Sequence, residues 1–134
     1  MVNKRKRRGF VDRERIRRAI EEAERFTTAR ICVSLVPHFW GDVSRTARRA
    51  MHRLGMTRSH ERNGVLFFVV PSRKVFVILG DAGAEEKIAT EIWTEVAALV
   101  EEHFRAGDPT AGLERGVAEI GRRLASHFPE RTDA

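Results

Sequence analysis

Residues 62–85 constrain the fold more than any other stretch. Two apolar runs rich in β-branched and aromatic residues, 65–70 and 75–79, flank Pro71-Ser72-Arg73-Lys74. Runs of this kind joined by a short polar turn predict two hairpin strands. Neither run alternates apolar with polar residues, as a strand wetted on one face would. The hairpin is therefore expected in the middle of a sheet with helices on both faces. Gly80-Asp81-Ala82-Gly83-Ala84-Glu85 follows as an acidic corner leading into a helix, and it is the first place to look for chemistry.

The flanking sequence supplies the other elements. Asp12 is placed to cap a first helix, in which Ile16, Ala19, Ile20, Ala23 and Phe26 recur at helical spacing. Glu14–Arg18 and Glu21–Arg25 are i,i+4 pairs on its wet side, and Thr27-Thr28 ends it. Residues 31–36 read as a strand closed by Pro37. Asp42 or Ser44 can cap a second helix with Ala47, Ala50, Met51 and Leu54 inward and Gly55 just past its end. After the hairpin, Ile88, Ile92, Val96, Leu99, Val100 and Phe104 mark one long amphipathic helix. A break at 105–109 precedes a last helix carrying Leu113, Val117, Ile120 and Leu124. Gly112, Gly116 and Gly121 within it each cost about 1 kcal/mol against alanine, which close approach to a neighbouring backbone would offset.

Two strands separated by a helix imply parallel pairing, and the tight turn implies an antiparallel pair. The expected fold class is α/β: a three-layer α/β/α sandwich with a mixed, mostly four-stranded sheet and helices on both faces. With 134 residues the chain is one domain, spanning 11–128 between a basic flexible arm (1–10) and a frayed tail (129–134).

Charge is unevenly spread. Residues 1–62 carry 17 Lys/Arg against 7 Asp/Glu, whereas the remainder carries 8 against 12. The basic half should face an anionic partner. Its densest parts are the arm (Lys4, Arg5, Lys6, Arg7, Arg8) and one face of the second helix (Arg45, Arg48, Arg49, Arg53). These suit a protein partner or an anionic membrane surface, and more weakly nucleic acid, because no aromatic residues interleave for base stacking. No apolar run approaches the roughly 20 residues of a membrane span, and no apolar stretch follows the basic N-terminus as in a secretory signal. The cytoplasm is the default location, and the arm fits a peripheral position at the inner face of a membrane. Cys32, the lone cysteine, excludes an intramolecular disulfide and sits in a strand as a structural thiol. The histidines lack ligand spacing, and no phosphate loop or nucleophile elbow is present.

In this order and spacing the pieces resemble the TPM domain. They are Phe26-Thr27-Thr28-Ala29-Arg30-Ile31, Leu54-Gly55-Met56, Asn63-Gly64-Val65-Leu66, Ile78-Leu79-Gly80-Asp81-Ala82-Gly83, and Phe104-Arg105-Ala106-Gly107-Asp108 with Gly112-Leu113 and Gly116. The pattern looks closest to a short stand-alone bacterial branch grouped with membrane-associated TPM proteins. The resemblance implies an α/β/α module in a family where some members have been described as acid phosphatases, some bind calcium and others have no known activity. The family often has Glu in a Thr-x-Glu-Ile turn and Asp in Asp-Asn-Gly. Here those positions are Arg30 and Arg62. Calcium takes 6–8 oxygen ligands, several of them carboxylates, so two guanidiniums in their place weaken a Ca2+ site and any metal-dependent phosphatase with it.

The candidate ligand or anion site comprises Arg30, Arg62, Asn63, Asp81, Glu85 and Asp108. Asp81, Glu85 and Asp108 are the carboxylates that could hold a metal; Asp81 or Glu85 could instead stabilise a helix N-terminus. Arg30 and Arg62 could bind an anion beside the helix amides, or pair with Asp81, Glu85 or Asp108. Internal salt bridges are the preferred reading. The resulting expectation is a non-enzymatic interaction module with no cofactor. The alternatives are a phosphatase-like or calcium-binding protein using Asp81 and Asp108, and nonspecific nucleic-acid binding through the arm.

Overall fold

The computed structural model describes residues 11–37 and 40–130; the arm, Phe39 and the last residues of the tail lie outside them. The chain runs α1 (Arg13–Glu24), β1 (Ile31–Leu35), α2 (Val43–Arg53), a 3-10 turn (Met56–Arg58), β2 (Val65–Val70), a second 3-10 turn (Pro71–Arg73), β3 (Val75–Gly80), α3 (Ala82–Lys87), α4 (Thr90–Arg105) and α5 (Pro109–His127).

The sheet order is β1-β2-β3. β1 and β2 are parallel, with Ile31 opposite Val65. β2 and β3 are antiparallel, with Val65 opposite Gly80 and Val70 opposite Val75. This corrects two expectations. Among the described residues the sheet has three strands rather than mostly four, because every run with strand character is already used. Thr27 and Pro129 form only an isolated antiparallel bridge. The hairpin is also not wholly central. β2 is buried at all six positions, whereas β3 is half-buried throughout and forms an edge.

Side chains alternate across β2, and the two sets enter separate clusters. Val65, Phe67 and Val69 join Ile16 of α1, Ala84 of α3, Val96 and Val100 of α4, and Leu113, Val117, Ile120 and Leu124 of α5. Leu66, Phe68 and Val70 join Val43, Ala47, Ala50 and Met51 of α2. Phe67 and Phe68 are fully buried, each stabilising the fold by about 1.5–3 kcal/mol. This two-sided burial explains why β2 and β3 show no polar alternation: each pairs an apolar side chain with either cluster at successive positions.

Local chemistry sets the boundaries. The Asp12 side chain accepts from the Glu14 and Arg15 amides, and Asp42 accepts from the Arg45 amide. Gly55 is left-handed at φ +74° just past α2. Lys74 also turns left-handed at φ +53°, closing the hairpin as its amide donates to the Pro71 carbonyl at 3.0 Å. The long helix expected after the hairpin is broken in two, because Ile88 adopts an extended conformation between α3 and α4. Phe26 and Leu54, expected inward, are 59% and 41% exposed because each lies past the end of its helix. Arg25 pairs with Glu22 rather than Glu21, which Arg17 takes. The glycines of α5 do mark close approaches. A Cβ at Gly112, Gly116 or Gly121 would come within 2.7 Å of His103, Val100 or Ala23 respectively.

Candidate functional site

The corner between β3 and α3 is built from both ends of the hairpin. Arg62 precedes β2 and is left-handed at φ +52°. That turn aims its carbonyl at the start of α3, where it accepts from the Gly83 and Ala84 amides at 2.7 and 3.2 Å. The Asp81 amide donates to the Gly64 carbonyl at 2.8 Å, so the strand pairing runs on into the corner. Gly83 is required by contact: a Cβ there would lie 2.1 Å from the Glu61 carbonyl oxygen.

Within this backbone frame the Arg62 guanidinium grips Asp81 through two bonds. Nε donates to Oδ2 at 2.6 Å and Nη2 to Oδ1 at 2.7 Å. Oδ1 also accepts from the Ala82 amide at 2.9 Å, so Asp81 caps α3. Asp81 is 5% exposed and is the one buried carboxylate among the described residues. The Arg62 guanidinium holds its carboxyl below the ordinary value, with the Ala82 amide helping and burial opposing. Asp81 reciprocally raises Arg62. A two-point fork of this kind is geometrically specific and stronger than a neutral hydrogen bond.

Asn63 is buried, and its Nδ2 donates to Thr28 Oγ1, which in turn donates to Glu61 Oε1 at 2.7 Å. Arg30 lies at the same end of the sheet, since Ile31 and Val65 are register partners. Its side chain is exposed and its Nη1 reaches the Leu54 carbonyl at 3.4 Å rather than Asp81. Burial pushes the neighbouring Cys32 thiol up, with Arg30 opposing, which keeps it an unreactive thiol. Glu85 is exposed, and its amide donates to the Asp81 carbonyl at 2.9 Å.

Asp108 does not join this corner. It caps α5 by accepting from the Ala111 amide. Its neighbours Gly107 and Pro109 line a cleft of about 560 Å3 with Pro71, Ser72 and Lys74, at the hairpin turn. Asp81 sits beyond the opposite end of β3, about 17 Å away at the rise of a strand. The sequence pairing of Asp81 with Asp108 as joint metal ligands therefore has no geometric basis. Among the described residues, no three His, Cys, Asp or Glu side chains gather as metal ligands. The Gly83 and Ala84 amides at the start of α3, one possible place for an anion beside the arginines, are taken by the Arg62 carbonyl. The residues present thus do not fit a calcium ion at this corner.

A family model for the TPM domain matches residues 10–123. The chain belongs to the TPM domain family. Among solved structures, it is similar to the BA42 protein of the psychrophilic bacterium Bizionia argentinensis, at 32% identity and a TM-score of 0.84 over 92% of this chain and 88% of that one. The N-terminal domain of a protein from P. gingivalis shares the fold at 17% identity and TM-score 0.70, covering 89% of this chain and 78% of that one. The N-terminal domain of the cg2496 protein of Corynebacterium glutamicum does so at 14% and 0.67, covering 90% and 74%. No curated protein matches the chain.

Sequence reasoning named Arg62, Asn63 and Asp81 as site residues but gave no such role to Thr28, Glu61 or Gly83, which complete the corner of this TPM domain. Gly83 had a legible signal, as a glycine inside the first turn of a helix. Thr28 and Glu61 had none, because the hydrogen bond joining them spans 33 positions.

The basic face of α2 stands apart. Arg45, Arg48, Arg49 and Arg53 are all exposed. The ion pairs among the described residues fall on α1, α4, α5 and the corner, and none involves these four. Arg45 and Arg48 interact electrostatically with the cap Asp42. No helix among the described residues is long and apolar enough to cross a membrane.

Proposed function

We propose that this TPM domain is a non-enzymatic interaction module that meets an anionic partner, an acidic protein surface or an anionic membrane. One observation carries the reading. Asp81, the carboxylate best placed to do chemistry, already has both oxygens engaged by Arg62 and the α3 amide. A general acid or metal ligand needs an oxygen that can reach substrate or ion, and this one is committed to holding the corner. The exposed arginines of α2, with Lys4, Arg5, Lys6, Arg7 and Arg8 of the arm, supply the attraction, cytoplasmic and peripheral at the inner face of a membrane. The same reading takes the two apolar clusters as the outer interfaces of a three-layer α/β/α sandwich.

Calcium titration of the melting temperature, run beside turnover of a generic phosphomonoester, tests the first half. Neither a shift nor turnover above the buffer blank is expected. A calcium shift of several degrees lost in Asp81→Asn, or turnover lost in the same variant, would restore the calcium-binding or phosphatase reading. For the second half, binding to anionic vesicles should weaken with salt and with Arg45→Glu/Arg48→Glu/Arg49→Glu. Tighter binding to DNA than to vesicles, abolished by deleting residues 1–9, would favour nucleic acid instead.

A further inference from the structure

The outer edge of β3 is the least protected feature of the fold. β3 pairs with β2 on one side, and among the described residues no strand pairs on the other. Alternate residues of Val75–Gly80 therefore turn backbone N–H and C=O groups outward. The strand Val-Phe-Val-Ile-Leu-Gly has no proline, no charge and no left-handed residue within it, and these are the usual devices that block strand addition. The other edge differs. At β1 the Ile31 amide is already taken by Glu24 Oε2 at 2.7 Å, and Pro37 follows the strand.

Two grooves lie along the β3 edge. One, of about 770 Å3, is lined by Phe76, Ile78, Trp93 and Phe104 and closed by Lys74 and by Arg105, which pairs with Glu101 on the same wall at 3.0 Å. The other, of about 570 Å3, continues past Trp93 and Gly80 to Glu85 and Glu86. The Trp93 ring lies so close over Gly80 that a Cβ there would meet it at 2.7 Å. With Arg105 offset by Glu101, Lys74 leaves that end net cationic, so the edge has an apolar middle, a cationic end and an anionic end at Glu85 and Glu86.

We infer that a second copy of this chain pairs antiparallel along β3, joining two three-stranded sheets into one across a two-fold axis. The charge arrangement selects this occupant. An antiparallel pair centred on Val77 sets Val75 of each copy opposite Leu79 of the other, so that each side chain keeps its own face of the joined sheet. That brings the Lys74 and Arg105 end of each groove to the Glu85 and Glu86 end of its mate, and both contacts are attractive at once. A parallel pair would set like charges together. An isologous interface needs this self-complementarity, and the backbone edge supplies hydrogen bonds without any special side-chain fit.

Sedimentation of the full chain over a wide concentration range at low salt tests the inference. The wild type should pass from monomer to dimer as concentration rises. Lys74→Glu/Arg105→Glu makes both ends of the edge acidic, and Glu85→Lys/Glu86→Lys makes both basic. All four side chains are exposed, so each variant should keep the wild-type far-UV spectrum. Each should dissociate more readily by about tenfold or more, and an equimolar mixture of the two should recover the dimer as a heterodimer. In a Trp40→Phe background, dimer formation should shift the Trp93 emission. A wild type that stays monomeric throughout, variants that dimerise as well as the wild type, or a mixture that stays monomeric would each overturn the inference.

Discussion

Replacing Arg62 by methionine removes the guanidinium while keeping an unbranched apolar stem at this left-handed position, φ +52°. The carboxylate of Asp81 then loses its bonds of 2.6 and 2.7 Å and keeps the Ala82 amide. Breaking a fully buried ion pair costs about 3–5 kcal/mol. The Arg62 side chain is 47% exposed against 6% for Asp81, so water can replace part of what is lost, and about 2 kcal/mol is the appropriate scale. A chain of this length loses about 3–5 °C of Tm per kcal/mol, giving a fall of about 6–10 °C. The sign of the pH dependence follows from the lowered Asp81 pKa. Ionised Asp81 contributes stability above its unfolded value of about 3.9, and that contribution is lost as pH falls through the folded value. The gap between wild type and variant should thus be full at neutral pH and close in acid. Urea unfolding across that range measures it. A loss below about 0.5 kcal/mol, the level of an ordinary surface pair, or a loss unchanged in acid, would refute the clamp.

Other substitutions test the frame around it. Gly83→Ala drives a Cβ to 2.1 Å from the Glu61 carbonyl oxygen; no side chain can yield there, so urea unfolding should show a loss near the top of the overpacking range, about 3 kcal/mol. Thr27 Oγ1 donates to the Phe128 carbonyl at 2.6 Å and accepts from the Ala29 amide at 3.1 Å; Thr27→Val keeps the shape, strands both groups and should cost about 2 kcal/mol by thermal denaturation. Asp108→Ala should cost about 1 kcal/mol as a lost helix cap and leave the response to calcium identical to that of the wild type.

The strand runs, the Asp12 and Asp42 caps, Gly55 and the close approaches of the α5 glycines were legible because each rests on a local rule: side-chain period, an orphan amide or a missing Cβ. The helix break at Ile88 was not, because its apolar spacing fits one continuous helix and only packing decides between one helix and two. Phe26 and Leu54 failed for a related reason. Periodicity assigned them a face, but each lies just beyond the turn that would have held it there. The pairing of Arg25 with Glu22 rather than Glu21 was likewise decided by the competition from Arg17.

By itself the sequence determined the mixed pairing of the hairpin and its parallel neighbour, the resemblance to TPM domains, and the presence of arginines at positions 30 and 62. These follow from contacts within a few residues or from order along the chain. Only the tertiary structure decided what those arginines do. Arg62 reaches Asp81 across 19 positions because the antiparallel register brings Gly80 back beside Val65. Arg30 stays exposed, and Asp108 ends at the far turn. Strand register converts separation along the chain into distance, and no local pattern encodes that conversion, so the assignment of the acidic corner as a clamp, and of β3 as an edge, had to come from the fold.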